Sequence, residues 1–483
     1  MNRCIPLIIW NDIFPVHKQF RNTNTFMADH QKTHSLNIPD SEKPRLVLVG
    51  GGFGGVHFLK SLKMSDYQVV MIDRYNYHTF QPLLYQVATA GLEPDSVSEP
   101  LRKILKNHKD AYFRMVKLDS VHPEKKTIET SGGSLSYDYL VLATGAKMNY
   151  FGNSDVAKHA FPLKQVTHAL DLRSHIFQQL EKYEIEPHSD DKDGQLNFVI
   201  VGAGPTGVEV SGALLELKRN VFPADYPGID TEQIKVYLVE ADDRVLPAMS
   251  ENSAKKAQHY LEKMGAELML KSMLKSYDGK TAKFNNGKEI QTNTLVWAAG
   301  VKPNLPKGFP EAGIMKGKLL VNRFNQVYSD ESANTVYTDT FAIGDVALMK
   351  TEKYPKGHPG LAQAAIQQGT TLAKNLRRLQ KSKAMKAFSY RNKGVLATIG
   401  RNKAVAEFPG NLRISGALGW WIWMIVHLLF LVGFRNKAIV LANWSWNYFT
   451  FDRGIRLILR PSTKTNDNIS KEMQYEMDES LQQ

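Results

Sequence analysis

Two glycine-rich turns, each directly after a short apolar run, constrain the fold of this chain more than any other feature. The first occurs in Arg45 to Gly55, RLVLVGGGFGG, where Gly50, Gly52 and Gly55 have the G-x-G-x-x-G spacing. In a strand–turn–helix unit, the first glycine permits the tight turn and the second lets backbone approach a pyrophosphate. The third allows close packing of the helix, whose N-terminus favours an anion.

A carboxylate accompanies this first turn. Asp73 ends the next apolar run, Gln68 to Ile72, 23 residues after Gly50. In dinucleotide-binding units an acidic residue about 20 residues after the glycines accepts the ribose hydroxyls. Glycines needed only for steric reasons would not require such a partner, so the unit is predicted to hold an adenine dinucleotide.

A second copy decides the architecture. Asn197 to Glu209 reads NFVIVGAGPTGVE, with Gly202, Gly204 and Gly207 at the same spacing, and Glu240 ends the next apolar run. Two such units predict an α/β fold with two Rossmann-like domains. They also predict two nucleotides, most simply a bound flavin, FAD, and a diffusible nicotinamide, NADH.

Two further apolar runs mark where the chain crosses between these domains. Tyr137 to Gly145, YDYLVLATG, and Thr294 to Gly300, TLVWAAG, both end on small residues. We therefore place Thr144, Gly145 and Gly300 at the cofactors. The predicted organisation is an FAD domain formed by residues 44–165 and 300–385, an NADH domain of 166–299, a membrane-attachment region of 386–462, a disordered extension of 1–43 and an acidic tail of 463–483.

Composition excludes several classes of protein. The 483 residues contain one cysteine, Cys4, so a disulfide framework and an iron–sulfur cluster are both excluded. The fourteen histidines show no metal-ligand spacing, and we predict no catalytic metal.

The net charge of +13 is concentrated near the C-terminus. Between Lys386 and Arg460 there are eleven Lys or Arg residues against two acids. Nucleic acid is one possible partner for a basic region. The same region is rich in apolar and aromatic residues, however, so an anionic membrane surface fits better and no nucleic-acid partner is predicted.

Ala417 to Phe434 contains 18 consecutive residues without formal charge, about 27 Å of helix and the lower limit for a membrane span. His427 lies within it and argues against a lone spanning helix. Trp444 to Arg460 follows, with arginines at helical spacing and many aromatics, as in a segment lying in the membrane interface. We expect monotopic attachment; a true span and burial in a dimer interface are the alternatives.

Two polar motifs lie between the second nucleotide unit and this region. Asp345 in FAIGD follows a glycine at a strand end, where a carboxylate can bind the flavin ribityl chain; a simple turn is the alternative. In AQAAIQQG, Gln363 and Gln367 share one helix face beside small alanines. Glutamines suit the neutral carbonyls of a quinone, although a solvated amphipathic helix is otherwise the more common explanation of such a pattern.

Taken together, these motifs closely resemble the type II NADH:quinone oxidoreductases, single-subunit flavoproteins of the two-dinucleotide-binding-domain superfamily. The resemblance covers about residues 44–460. It depends on GGGFGG, YNYHTFQPLLYQVATAGLEP, YDYLVLATGA, VGAGPTGVE, FAIGD, AQAAIQQG and GFRNKAIVLANWSWNYFTFDRGIRLI.

The resemblance implies a dimeric, membrane-surface enzyme with non-covalent FAD that oxidises NADH and reduces ubiquinone or menaquinone without pumping protons. It places Glu209 on the nicotinamide side of the flavin, Gln363 and Gln367 at the quinone, and Lys393 near the quinone mouth, where an ordinary surface lysine is the alternative. The residues implied to bind FAD are Gly50, Gly52, Gly55, Asp73 and Asp345, and those for NADH are Gly202, Gly204, Gly207 and Glu240.

Other functions have to be weighed against this one. Disulfide reductases and sulfide:quinone oxidoreductases need active-site cysteines, which Cys4 alone cannot supply. A flavoprotein that acts mainly as an NADH-dependent binding or signalling partner is the alternative from another class. We expect the cytoplasmic face of a bacterial plasma membrane rather than a mitochondrial inner membrane, because residues 1–43 do not form a convincing transit peptide.

Overall fold

The structure is a computed structural model that describes residues 36–106, 108–450 and 454–459. The predictions for residues 1–35 and for the acidic tail lie outside the described residues. Residues 36–43, assigned to the extension, belong to the folded body: Leu36 and Ile38 are buried in the core of the first domain. Arg114 donates from Nε to the Leu36 carbonyl at 2.6 Å, so the predicted boundary at residue 43 falls inside a packed stretch.

The first domain is built on a sheet whose centre is the strand Arg45–Val49. Val47 lies opposite Val70 on one side and Leu140 on the other, in parallel register, and all three side chains are fully buried. Such continuous apolar runs are typical of parallel strands covered on both faces. In spatial order the parallel strands are Ala111–Met115, Gln68–Asp73, Arg45–Val49, Tyr139–Leu142 and Thr335–Ala342. The sheet continues through Gln326–Asp330, Lys318–Val321 and Ile314–Met315, and Ala347–Met349 pairs with Lys318–Val321.

The second domain repeats this plan on a smaller scale. Its parallel sheet has the order Phe161–Pro162, Thr294–Trp297, Asn197–Val201, Lys235–Val239 and Ala266–Met269. The predicted fold class, two Rossmann-like units, is therefore confirmed. The strand Phe161–Pro162 and the helix Ser154–His159 belong to this domain, so it begins earlier than the predicted residue 166.

The chain crosses between the domains twice, directly after the two apolar runs that predicted it. The crossing strands Ala146–Met148 and Val301–Pro303 pair antiparallel. The other α-helices are Phe53–Ser61, Leu84–Ala88, Leu101–Leu105, Val166–Ile185, Lys192–Leu196, Pro205–Asn220, Phe222–Asp225, Glu251–Met264 and Ala362–Leu379. The strands Tyr77–Thr79 and Ser98–Pro100 form an antiparallel pair. One three-stranded sheet consists of Leu118–His122, Thr127–Thr130 and Gly133–Ser136, and another of Leu274–Tyr277, Thr281–Phe284 and Glu289–Gln291.

The C-terminal region packs tightly on the second domain. It has three strands, Val395–Gly400, Lys403–Glu407 and Arg413–Ser415, followed by two helices, Gly416–Phe430 and Phe434–Thr450. A Cβ on Gly212 of the helix Pro205–Asn220 would collide with the Ile399 carbonyl, so backbone meets backbone there. The region is therefore part of the folded core as well as a candidate for membrane attachment.

The two C-terminal helices differ from the sequence expectations. The uncharged run Ala417–Phe434 is interrupted, because its helix ends at Phe430 and Gly433 has a φ of +89°. None of the helices in the described parts of the chain is long and apolar enough to cross a membrane. The second helix is described as far as Thr450. Of the three arginines of the predicted face, Arg456 lies in an irregular segment and pairs with Asp225 at 3.2 Å, while Arg453 and Arg460 lie outside the described residues.

Candidate active site

A cavity of about 1100 Å³ lies where the two domains and the C-terminal region meet. Small-molecule sites typically occupy about 300–1,000 Å³, so this cavity has room for more than one ligand. Eight of the predicted site residues line it, namely Gly50, Gly52, Asp73, Thr144, Gly145, Glu209, Gly300 and Asp345. The other predicted residues, Gly55, Gly202, Gly204, Gly207, Glu240, Gln363, Gln367 and Lys393, are not in its described lining.

The first glycine turn has the geometry that a dinucleotide requires. Gly50 has a φ of +112°, and a Cβ there would collide with the Ala143 carbonyl. A Cβ on Gly52 meets no described atom within 4 Å, so this glycine faces open space in the cavity. A Cβ on Gly55 would strike the Gly50 carbonyl. The first and third glycines are thus required by the packing of the protein, and the second leaves open space that a ligand could occupy.

Two side chains hold the backbone between these glycines. The Gly51 N–H donates to Asp73 Oδ2 at 2.5 Å, and Asp73 Oδ1 accepts the Tyr75 N–H at 2.8 Å. His78 Nδ1 lies 2.8 Å from the Gly51 carbonyl, which can only accept, so this nitrogen carries the proton. Burial raises the pKa of Asp73, and the two backbone hydrogen bonds partly offset this rise. The protein's own hydrogen bonds therefore hold this loop in position.

The second turn reproduces this arrangement. Gly202 has a φ of +102°, Gly204 faces open space, and a Cβ on Gly207 would strike the Gly202 carbonyl. The Ala203 N–H donates to Glu240 Oε2 at 2.6 Å, as Gly51 does to Asp73. We call each glycine turn with its carboxylate a cradle. The two cradles fit FAD and NADH, since each has a turn held by hydrogen bonds, a glycine that faces open space and a carboxylate where the ribose is expected.

Asp345 is positioned by a residue that the sequence analysis did not assign. The turn before it has Gly344 at a φ of +74°, and the Gly344 N–H donates to Oε1 of Gln368 at 2.7 Å. Gln368 is buried and belongs to the AQAAIQQG helix. At the end of the neighbouring strand, Thr144 donates to the Asn304 carbonyl at 2.7 Å.

Glu209 is the one carboxylate of the cavity that comes from the second glycine helix. Only 7% of its surface is exposed. Burial raises its pKa to about 8, even with the Thr398 backbone and the Trp423 ring close by. Glu209 also lines a second cavity of about 100 Å³, whose wall includes Glu216 and Asn220. Its side chain can therefore hold a proton near neutral pH at the boundary between two cavities.

The side-chain amides of Gln363 and Gln367 form hydrogen bonds with the backbone of a neighbouring segment. Gln363 donates to the Gly394 carbonyl at 2.9 Å and accepts the Lys393 N–H at 2.8 Å. Gln367 makes the same pair of bonds with Arg391, at 2.9 and 3.0 Å. Both glutamines thus fix residues 391–394 against the helix Ala362–Leu379. Their direct contact with a quinone stays a prediction, as does the role of Lys393, whose Nζ lies 5.3 Å from the centre of the Phe430 ring.

The segment fixed by the glutamines leads into an apolar part of the cavity. Val395 and Leu396 directly follow it, and together with His427 they form what we call the C-terminal wall. Ala362 and Ala365 line the cavity from the neighbouring helix. The sequence analysis had assigned no ligand-binding role to Val395, Leu396 and His427, because only the tertiary contacts bring them to the nucleotide sites. It had noted the small alanines as residues that let a flat group lie close to the backbone.

Comparison with known proteins agrees with this geometry. The family model described as "Pyridine nucleotide-disulphide oxidoreductase" matches residues 44–369, and the model described as "NDH2 C-terminal domain" matches residues 392–453. Type II NADH:quinone oxidoreductase NdhA of Mycobacterium tuberculosis is 34% identical over 422 residues, 85% of this chain and 88% of the relative. The type II NADH:quinone oxidoreductase of Haemophilus influenzae is 30% identical over 75% of this chain and 86% of the relative.

Solved structures show the same fold. NDH2 of Plasmodium falciparum, solved in complex with NADH, matches with a TM-score of 0.79 at 21% identity, over 86% of this chain and all of that one. The fold and the paired cradles define a pyridine nucleotide-disulphide oxidoreductase that has no redox cysteine pair, since Cys4 is its single cysteine. Within that class, the chain belongs to the type II NADH:quinone oxidoreductases.

Proposed function

We propose that this chain transfers electrons from NADH to a respiratory quinone within its large cavity. One observation carries the proposal: Asp73 and Asp345 of the FAD domain, Glu209 of the NADH domain and the C-terminal wall all line the same space. The redox chemistry, acceptance of a hydride and release of two electrons, is supplied by FAD when it is bound. The protein has to bind and orient the partners and control one proton.

The two nucleotides are held by the two glycine turns. Gly50, Gly52 and Asp73 would hold FAD, and Asp345 would be placed to accept a hydrogen bond from its ribityl chain. Glu240 accepts the ribose hydroxyls of NADH and repels the 2′-phosphate of NADPH. Support comes from the identical backbone-to-carboxylate hydrogen bonds of the two turns.

Glu209 supplies a proton to the quinone half-reaction. NADH, one proton and quinone give NAD⁺ and quinol, so one proton must enter from solvent in each turnover. A carboxyl group with a pKa of about 8 retains that proton at neutral pH. The smaller cavity behind Glu209 offers room for a few water molecules on the side away from the nucleotides.

The quinone head occupies the space beside the C-terminal wall. Val395 and Leu396 offer apolar contact, and Gln363 and Gln367 keep their segment in place. Lys393 lies at the mouth, where an exposed cation suits an interfacial position. Whether the natural acceptor is menaquinone or ubiquinone is decided by measuring turnover with short-chain analogues of both.

The C-terminal helices attach the protein to the surface of a membrane. On the helix Gly416–Phe430 the exposed residues Leu418, Trp421, Ile425 and Leu429 follow one face, and Phe434 is 88% exposed at the start of the next helix. Arg435 and Lys437 lie close by in sequence and suit anionic lipid. A homodimer and attachment to the cytoplasmic face are part of the same proposal.

Attachment is tested by vesicle sedimentation of the FAD-loaded protein. We expect the triple variant Leu418→Ser, Ile425→Ser, Leu429→Ser to lose about tenfold or more in partitioning, because each side chain stabilises the bound state by apolar burial. The matched control replaces three equally exposed apolar residues elsewhere, Met115, Phe151 and Ile185, with serine. Equal losses in both variants would contradict a membrane face on the C-terminal helices.

A further inference from the structure

His427 is a polar group in the cavity to which neither the sequence motifs nor the family assignment gives a role. It is the only side chain with acid–base chemistry in the uncharged run Ala417–Phe434. The helix Gly416–Phe430 brings it to the C-terminal wall, where it lines the cavity together with Val395 and Leu396. A polar group in such an apolar wall marks a point where a ligand can be oriented.

The ring of His427 is held in one orientation. It stacks on Trp423, with ring centres 4.2 Å apart and planes at 27°, and the edge of Phe80 approaches at 6.1 Å. His427 Nδ1 lies 2.7 Å from the Trp423 carbonyl. Trp423 itself is only 2% exposed. The imidazole therefore cannot turn without losing both its stacking partner and its hydrogen bond.

These contacts also fix the tautomer. A carbonyl only accepts hydrogen bonds, so Nδ1 must carry a proton. Burial lowers the pKa of His427 to about 4, although the bond to the Trp423 carbonyl opposes this shift, so the ring is neutral at physiological pH. In a neutral ring with Nδ1 protonated, Nε2 is an acceptor with a free lone pair. Within the described part of the chain, no hydrogen-bond partner is found for Nε2.

An acceptor at this position distinguishes the two redox forms of a quinone. The two oxygens of the oxidised form are carbonyls, which only accept hydrogen bonds and gain nothing from Nε2. Reduction by NADH with one solvent proton turns both oxygens into hydroxyls, which donate. The hydrogen bond to Nε2 forms only as the O–H bond forms, so it stabilises the product side of the reaction selectively.

We propose that His427 is the residue that recognises the quinol, with Nε2 accepting a hydrogen bond from one hydroxyl of the reduced product. No proton is left on His427 at the end of the turnover, and both hydroxyl protons leave with the quinol. This inference rests on the proposed quinone site. It adds a residue that raises the affinity for the quinol product without raising the affinity for the quinone substrate.

The test compares His427→Phe with His427→Gln in the FAD-loaded, full-length protein. Phenylalanine keeps a ring against Trp423 and removes the acceptor, whereas glutamine offers a side-chain oxygen in its place. Steady-state kinetics with a short-chain quinone give its KM, and product inhibition by the matching quinol gives its Ki. We expect His427→Phe to raise the quinol Ki about fivefold, the size of one neutral hydrogen bond, with a change in quinone KM of less than about twofold.

Glutamine should restore the quinol Ki to within about twofold of the wild-type value. Equal changes of Ki and KM in His427→Phe would mean that the ring only packs, and an unchanged Ki would mean that it does not contact the quinol; either result overturns the proposal. FAD content and thermal unfolding check that each variant is folded.

A measurement on the wild-type protein avoids any dependence on folding of the variants. With ¹⁵N-labelled histidine, the Nε2 resonance of His427 should shift on addition of quinol and stay in place on addition of quinone. A shift with both forms, or with neither, overturns the proposal. Absence of any quinone-dependent turnover in the wild type would instead refute the proposed function, so the two failures are distinguishable.

Discussion

The two glycine-turn units use the same backbone design, and they differ at the second residue after the third glycine. His57 stands at this position after Gly55, and Glu209 stands at it after Gly207. Both are neutralised by burial, which lowers the pKa of His57 to about 4 and raises that of Glu209 to about 8. Only Glu209 lines the large cavity. We therefore expect the shared part of the design to hold a nucleotide, and the differing position to decide which unit takes part in proton chemistry.

The carboxylates of the two units show a second difference. Asp73 lines the cavity and Glu240 does not, although each accepts the N–H of the residue after the first glycine. An enclosed carboxylate suits a resident cofactor such as FAD, and a carboxylate outside the cavity suits a substrate that enters and leaves, such as NADH. We therefore expect that loss of the Asp73 carboxylate weakens FAD binding, and that loss of the Glu240 carboxylate weakens NADH binding.

The largest effect is expected for Gly50→Ala. The new Cβ would collide with the Ala143 carbonyl at a φ of +112°, so we expect a loss of more than about 3 kcal/mol in the free energy of unfolding and no retained FAD. Thermal unfolding and FAD content measure this. The matched control is Gly52→Ala, whose Cβ meets no described atom within 4 Å. The free energy of unfolding of FAD-free Gly52→Ala should be within about 0.5 kcal/mol of the wild-type value, whereas its affinity for FAD should be lower. Equal destabilisation by both substitutions would contradict the division of roles among the glycines.

The next effect concerns the position that differs between the units. Glu209→Gln should lower quinone-dependent kcat by about 100-fold, because glutamine cannot release a proton, while FAD content stays the same. His57→Asn is the control at the equivalent position and should leave kcat within about threefold of the wild type. Stopped-flow and steady-state assays across pH measure both. Normal turnover of Glu209→Gln at every pH would remove Glu209 from the mechanism.

Stability as a function of pH tests the same pair without any substrate. The native state binds a proton at Glu209 more tightly than the unfolded chain does, so this contribution is present below about pH 4.5 and is lost as the pH rises to about 8. For His57 the sign is opposite: its contribution is present above about pH 6.5 and is lost as the pH falls to about 4. Denaturant unfolding at several pH values should show that Glu209→Gln reduces the decline on the alkaline side. His57→Asn should reduce the decline on the acid side, to which the buried His78 and His427 also contribute. A wild-type-like pH profile for Glu209→Gln would contradict its burial as a neutral acid.

The smallest effect is expected for the two ribose carboxylates. Asp73→Asn places an amide NH₂ near the N–H groups of Gly51 and Tyr75, and we expect FAD affinity to fall by about tenfold or more. Glu240→Gln should leave FAD bound, raise the KM for NADH a fewfold and reduce the preference for NADH over NADPH by about tenfold. FAD titration and kinetics with both nicotinamides measure this. Loss of FAD in Glu240→Gln would reverse the assignment of the two units.

The local sequence predicts the repeated part of this design and little of the rest. Glycine spacing, apolar strands and the terminal carboxylates all depend on neighbouring residues, which is why both cradles could be assigned before the structure. The environment of Glu209 depends on Thr398 and Trp423, which lie far along the chain. The break at Gly433 and the hydrogen bonds of Gln363 and Gln367 to backbone likewise arise from tertiary packing. The composition of the run Ala417–Phe434 could not reveal the break, and the spacing of Gln363 and Gln367 could not reveal their backbone partners, because neither pattern contains information about distant residues.

The most direct test of the central claim is NADH oxidation by the purified, FAD-loaded protein with a short-chain menaquinone or ubiquinone analogue. Ferricyanide and oxygen serve as control acceptors. We expect quinone-dependent turnover of tens per second or more, in the range of ordinary enzyme rates. Reduction of the bound flavin by NADH with negligible quinone turnover would agree with the assignment of the two nucleotide cradles. It would contradict the claim that the cavity between them and the C-terminal wall is a quinone-reducing site.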